Sequence, residues 1–227
     1  MSHQLERTDV RRRVDAVLVA LAGAAGWLDA ASYMRVHVFT ANMTGNTVLF
    51  GLGAAGWPQA SAIKPLAGIV AFLLGSFAGA ALGAAISPAR RASRTILIVE
   101  ILLLAAVAVL WCVLRLASDA EQIGLIVVAA LAMGLQQAAT EQLHPSPSAS
   151  STYMSGTVER IGSGLYELLS GKPSKFAFNA LAWLAFLLAA FLVGRVAGTS
   201  SIVLGVVPLV IVVAAAIAVS VPSSTKG

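Results

Sequence analysis

Apolar residues run for membrane lengths along this chain, separated by short clusters of small polar residues. Five stretches are uninterrupted: Leu66 to Ile86, Thr95 to Leu114, Ile123 to Thr140, Phe176 to Gly194 and Ile202 to Val219. A sixth, Val14 to Met34, holds Asp15 and Asp29. Each is close to the roughly 20 residues that carry a helix across about 30 Å of hydrocarbon, where every backbone amide must find its partner inside the segment. The pattern predicts an all-α integral membrane protein with six transmembrane helices.

Val36 to Trp57 fits neither class cleanly, because His37, Thr40, Asn42, Thr44, Asn46 and Thr47 interrupt a moderately apolar run. A full helix here would make eight crossings with its counterpart. The preferred reading is a loop leading into a short re-entrant or broken helix from about Thr44 to Gly53. The matching segment, Ser150 to Gly171, carries Glu159, Arg160 and Glu167 and is too polar to lie against lipid.

The two polar segments match because the chain repeats itself. Met43-Thr44-Gly45-Asn46 recurs as Met154-Ser155-Gly156-Thr157, and Gly26-Trp27-Leu28-Asp29-Ala30-Ala31-Ser32 as Gly134-Leu135-Gln136-Gln137-Ala138-Ala139-Thr140. Lys64-Pro65 and Lys172-Pro173 offer a third anchor, with a short insertion near Pro145-Ser146-Pro147 between the anchors of the second copy. Three collinear anchors indicate duplication. Three spans per copy is an odd number, so the second copy enters the membrane upside down, giving two inverted three-helix repeats with broken or re-entrant motif segments. The chain divides into a basic tail at 1–13, repeat 1 at 14–118, repeat 2 at 119–221 and a tail at 222–227.

Composition fixes the setting and the orientation. Hydrophobic residues make up 58% and charged residues 11%, against about 25% charged in a soluble domain, and the mean hydropathy is +0.86. With the amino terminus cytoplasmic, Arg7, Arg11, Arg12, Arg13, Arg90, Arg91, Arg94, Arg160, Lys172, Lys175 and Lys226 collect on the inner face, leaving Arg35, Lys64, Arg115 and Arg195 outside. This bias favours a bacterial inner membrane location with both termini cytoplasmic, and it accounts for the net charge of +5 without nucleic acid. The Arg-rich start reads as an uncleaved signal-anchor, since cleavage near Gly26 to Met34 would damage the repeat. Cys112 stands alone inside an apolar run, so no intrachain disulfide, catalytic thiol or metal site is implied.

Candidate chemistry centres on the motif and on charges within the spans. Thr44 and Ser155 are expected to cap helix starts, Gly45 and Gly156 to admit close backbone approach, and the helix amino termini to favour an anion or carboxylate. The bland alternative is a capped turn that packs and binds nothing. A carboxylate in hydrocarbon costs about 2.5–3.5 kcal/mol on insertion scales, so Asp29 needs a reason: a packing partner such as Arg35 or a helix end, or a proton- or cation-binding role. Its repeat partner is Gln137, beside Gln136. Glu100 is expected near the start of its helix, in an ion pair with Arg94 or Arg91, and Glu141 and His144 at a solvated end. Gly75, Gly79 and Gly83, and Gly194 with Gly198, have the spacing of close helix contacts, which leaves a homodimer open. Asn179 is expected to hydrogen-bond across the bundle, and Pro208 to free a carbonyl in the last helix.

Gly26-Trp27-Leu28-Asp29-Ala30, followed by Val38-Phe39-Thr40-Ala41-Asn42-Met43-Thr44-Gly45-Asn46-Thr47-Val48, resembles the signature of the YoaK family of bacterial multipass membrane proteins of unknown function. The resemblance runs from about residue 14 to 220. It implies an inner-membrane protein of about six helices and supplies no substrate or functional residue.

Catalysis is not expected. Tyr153-Met154-Ser155-Gly156 resembles the Gly-x-Ser-Gly of rhomboid proteases only in part, and no histidine follows it to serve as base. Neither a metal-ligand motif nor a phosphate loop is present, and no cofactor is implied. The functional expectation is a small-solute or ion transporter whose polar site comprises Asp29, Asn42, Thr44, Asn46, Gln136, Gln137, Ser155 and Thr157, with Asp29 as coupling or counter-charge group. A passive channel and a non-transporting scaffold are the alternatives.

Overall fold

The computed structural model describes residues 2–143, 154–196 and 201–220, with side chains described from residue 10 in the first helix and from residue 202 in the last. Among them are eight helices and no strand: α1 (Ser2–Val36), α2 (Met43–Ala54), α3 (Ile63–Ala85), α4 (Ala89–Val113), α5 (Asp119–Leu143), α6 (Met154–Leu169), α7 (Phe176–Val196) and α8 (Ser201–Ser220). Six are long and apolar enough to cross a bilayer, namely α1 from Val10 onward, α3, α4, α5, α7 and α8. At about 1.5 Å per residue, the 12 residues of α2 and the 16 of α6 reach only about 18 and 24 Å, short of about 30 Å of hydrocarbon. The ambiguous segment is thus a loop and a short helix, as its polar residues predict.

Helix packing repeats itself between the halves. When α1–α4 are exchanged with α5–α8, every contacting pair of helices becomes another contacting pair: α3–α5 becomes α7–α1, α4–α5 becomes α8–α1, α2–α3 becomes α6–α7, and α3–α4 becomes α7–α8. The α4–α8 and α1–α5 contacts map onto themselves. Burial follows the same exchange, with 67% of the apolar window covered in both α1 and α5, 39% in α4 and α8, and 22% in α3 and α7. The two central helices are therefore those that lead into the motif copies, and α3 and α7 present their broad faces outward.

Glycine sets the closest crossings. A side chain at Gly26 would collide with the Phe186 carbonyl of α7, and one at Gly134 with the Phe72 carbonyl of α3, so the matched glycines of the repeat make equivalent contacts. Gly75, Gly79 and Gly83 pack α3 on α5 against Leu131, Ala138 and Gln142, as their four-residue spacing predicts. Gly194 differs, because a Cβ there meets nothing within 4 Å, and Gly198 lies outside the described residues.

Polar atoms tie the helices where the apolar faces meet. The Trp27 indole donates to the Leu204 carbonyl at 2.9 Å. That acceptor is available because Pro208, four residues on and inside α8, has no N–H to take it. Gln136 Nε2 donates to the Leu21 carbonyl at 3.1 Å, joining α5 to α1. At the other end of α3, Lys64 pairs with Asp119 at 2.8 Å and donates to Gln122 Oε1 at 2.7 Å. Lys64 opens α3, whereas Lys172 and Pro173 lie ahead of α7. The third sequence anchor is therefore not structurally equivalent; α6 is four residues longer than α2, and the matched phenylalanines stand 114 positions apart.

Candidate functional site

The segment from His37 to Asn42 doubles back from the end of α1 toward its middle, and two buried side chains hold it there. Asp29 Oδ1 accepts from the amides of Thr40 at 2.8 Å, Ala41 at 2.6 Å and Asn42 at 3.4 Å, and from the Thr40 hydroxyl at 3.4 Å. Convergent amides stabilise a carboxylate oxygen as a small anion nest does. Asp29 Oδ2 is buried and has no partner among the described residues. The packing partner expected for this carboxylate was Arg35 or a helix end; its real partners are loop amides, and Arg35 lies over the Trp111 ring at 5.8 Å.

Asn46 clamps the same segment from the other side. Its Oδ1 accepts from the Phe39 amide at 2.9 Å and its Nδ2 donates to the Phe39 carbonyl at 2.7 Å, so one side chain satisfies both polar groups of one residue. The Phe39 ring stacks on Tyr33 at 4.8 Å and closes over Gly45, where any Cβ would meet the ring at 2.8 Å. Gly68 of α3 lets the Asn46 amide approach, with an added Cβ 3.1 Å from Nδ2. These contacts give the Asn-Met-Thr-Gly-Asn stretch a folding role.

Asn42, not Thr44, caps α2: its side chain accepts from the Gly45 amide at 3.0 Å. The cap lies two residues before the expected Thr44, because Asn42 stands immediately outside Met43, where its oxygen reaches the N3 amide. Thr44 is instead exposed in the first turn. No acceptor among the described residues takes the Thr44 amide.

The two copies of the motif face one cavity from opposite sides, without contact between the described residues of α2 and α6. A cavity of about 160 Å³ is lined by Ala41, Asn42, Met43 and Thr44 from the first copy, Met154 and Ser155 from the second, and Phe72 and Phe186 from α3 and α7. Met43 pairs with Met154, Thr44 with Ser155 and Phe72 with Phe186 under the exchange of halves, so the lining follows the pseudo-symmetry of the packing. Phe72 is the tenth of 23 residues in α3 and Phe186 the eleventh of 21 in α7. Those mid-helix positions put the cavity at about half the depth of the spans. There it receives the amino-terminal turns of both short helices, each with partial positive charge from its free amides, and two hydroxyl-bearing side chains.

The other candidates lie elsewhere. Asp29 and Asn46 stand behind the cavity wall and shape it. Gln136 reaches into α1, while Gln137 Nε2 donates to Glu141 Oε1 at 3.0 Å along α5. Thr157 is buried in α6 and accepts from Arg160 at 3.0 Å. Of the eight residues, Asn42, Thr44 and Ser155 line the cavity and five do not. Among the described residues no group of His, Cys, Asp and Glu is arranged to hold a metal ion. The expectations for His144 and for the insertion at Pro145-Ser146-Pro147 lie outside the described residues.

Glu100 is placed differently from the expectation. It is the twelfth residue of α4, not a first-turn residue, because the helix begins at Ala89. The side chain is wholly buried, and neither oxygen has a partner among the described residues. Arg91 and Arg94 are exposed, and among the described residues neither pairs with Glu100.

A model built for one protein family matches residues 17–221. The chain belongs to the DUF1275 family, whose description is a protein of unknown function. No curated protein and no solved structure matches this DUF1275 chain. Its cavity also holds residues that sequence alone did not single out: Met43, Met154, Phe72 and Phe186. The methionines stand in the repeated motif, but a thioether is only a weak hydrogen-bond acceptor. The phenylalanines are indistinguishable by type from their apolar neighbours, and only the crossings at Gly26 and Gly134 mark them.

Proposed function

We propose that this DUF1275 protein moves a small solute or ion across the bacterial inner membrane, with the cavity between the two motif copies as its site. The observation that carries the reading is convergence: residues more than a hundred positions apart, from matching places in the two halves, line one mid-depth cavity. Six alternating crossings bring α2 in from one face and α6 from the other, so the packing exchange of the halves supports an inverted repeat. Such halves exchange roles as a central site opens to either side, and broken helices aim their positive ends at anionic groups. The occupant favoured by this lining is a small anion or a solute bearing a carboxylate. Thr44 and Ser155 act as hydroxyl ligands and Asn42 fixes the first turn. Asp29 positions the loop through Oδ1, leaving Oδ2 for a proton or cation. Both termini lie in the cytoplasm, no bond chemistry is performed, and the narrower YoaK affiliation rests on Gly26–Ala30 and Val38–Val48.

A second reading is favoured by the hydrogen bonds of Asp29 and Asn46, which tie the first motif to its own loop. In that reading the motif is a packing device of a non-transporting membrane protein. A thermal-shift screen of the purified chain against small carboxylates, inorganic anions and cations separates the two, since a ligand that binds only the folded state raises its apparent stability. Transport requires a stabilising ligand whose effect is lost in Thr44→Val and Ser155→Ala and whose flux is seen in proteoliposomes. Stabilisation by none of the probes, with both variants folded, supports the packing device.

A further inference from the structure

A groove of about 480 Å³ runs along the outer side of the α4–α8 contact, lined by Ile98, Ile101, Val213, Ala216 and Ile217, with Arg94 and Ser220 at one end. Ile98 and Ile217 are exposed, so its wall faces the surroundings of the bundle. From Arg94 to Ile101 it follows α4 for about 10 Å at 1.5 Å per residue, within the roughly 15 Å of one leaflet's hydrocarbon. The end that holds Arg94 is the membrane-surface end, because α4 starts at Ala89 and α8 stops at Ser220. Arg90 and Arg91 lie in the turn before Arg94. Among the described residues no carboxylate pairs with any of these three guanidinium groups. The acid on the same helix, Glu100, is buried and makes no such contact.

We propose that this groove is a binding site for an anionic phospholipid, with an acyl chain against Ile98, Ile101, Val213 and Ile217 and the phosphate on Arg94. An apolar channel open to the bilayer fits a hydrocarbon tail, and an unpaired guanidinium at its mouth fits a phosphate through two parallel N–H donors. Basic pockets between transmembrane helices on one membrane face bind acidic headgroups in this way. Arg90 and Arg91 add attraction toward acidic over zwitterionic lipid, and the site owes nothing to solute transport.

Native mass spectrometry of the full chain, released from detergent with phosphatidylglycerol or phosphatidylcholine of matched chains, tests the site. Phosphatidylglycerol is retained preferentially by the wild type, and Arg94→Gln lowers its retention about fivefold, the effect of one basic residue near an acidic headgroup. Arg115→Gln, at the opposite end of α4, leaves retention unchanged. Ile217→Trp fills the exposed groove, keeps every charge and also releases the lipid. Equal retention of the two lipids overturns the proposal, as does an unaltered Arg94→Gln. Inorganic phosphate that displaces the lipid from the wild type, with Ile217→Trp binding normally, overturns it too by showing an anion site without a groove.

Discussion

Replacing Asn46 by leucine removes both hydrogen bonds that hold Phe39 while keeping the side chain's approximate volume. The wild-type contacts are 2.9 Å to the Phe39 amide and 2.7 Å to its carbonyl, and Asn46 itself is fully buried. Leaving a buried polar group unsatisfied costs about 1–3 kcal/mol. Phe39 is half-buried and water offsets part of that penalty, so the two lost hydrogen bonds put Asn46→Leu about 1–3 kcal/mol below wild type. Asn46→Asp sharpens the test, because Oδ1 keeps its donor while the second oxygen faces the Phe39 carbonyl in place of Nδ2. It should be at least as damaging as leucine. Stability is read from titration of mixed micelles with a denaturing detergent, followed by tryptophan fluorescence. Hydrogen exchange over residues 37–46 then locates the loss, with faster exchange expected at Phe39 to Asn42. An Asn46→Leu protein within about 0.5 kcal/mol of wild type, the range of ordinary surface substitutions, would refute the clamp, and so would an Asn46→Asp protein of full stability.

Three further outcomes follow from the packing. Gly75→Ala drives a methyl group into the Leu131 carbonyl and should cost about 1–3 kcal/mol by overpacking, whereas Gly194→Ala meets open space and should gain about 0.5–1 kcal/mol; equal thermal shifts in the two variants would contradict the close α3–α5 crossing. Glu100→Met removes two buried oxygens that have no partners among the described residues and should leave melting in detergent unchanged or higher, while a drop of more than about 1 kcal/mol, the typical single-mutation loss, would reveal a partner. Trp27→Phe should cost about 1 kcal/mol through the orphaned Leu204 carbonyl, and less in a Pro208→Ala background that supplies an N–H to the same acceptor; strict additivity in the double-mutant cycle would exclude that link.

The helices were legible because apolar length is nearly sufficient in a membrane: each of the six runs became a span, displaced by a few residues at its ends. The largest displacement is at α4, read as starting at Thr95 and found to start at Ala89. Arg90, Arg91 and Arg94 broke the apolar run without breaking the helix, since long basic side chains reach the interface from within a span. That shift moved Glu100 from the middle of its helix to its first turn and suggested an ion pair that is absent among the described residues. Thr44 and Ser155 were marked by the recurring Met-Thr/Ser-Gly motif, and both line one cavity. What Asp29 and Asn46 do was not legible. Their partners are backbone groups of a loop seven to thirteen residues away, and main-chain acceptors and donors carry no sequence signature.

Cross-linking between the two motif copies tests the central claim most directly. Thr44→Cys and Ser155→Cys are introduced together in a Cys112→Ser chain, reconstituted in lipid, and treated with a short bifunctional thiol reagent. Intramolecular linkage at high yield, absent when either cysteine is paired instead with one at exposed Val109 in α4, is the result that a shared mid-depth cavity requires. Two cysteines that each react with a monofunctional thiol reagent but never join within one chain would place the motifs apart, and the site between the halves would not exist.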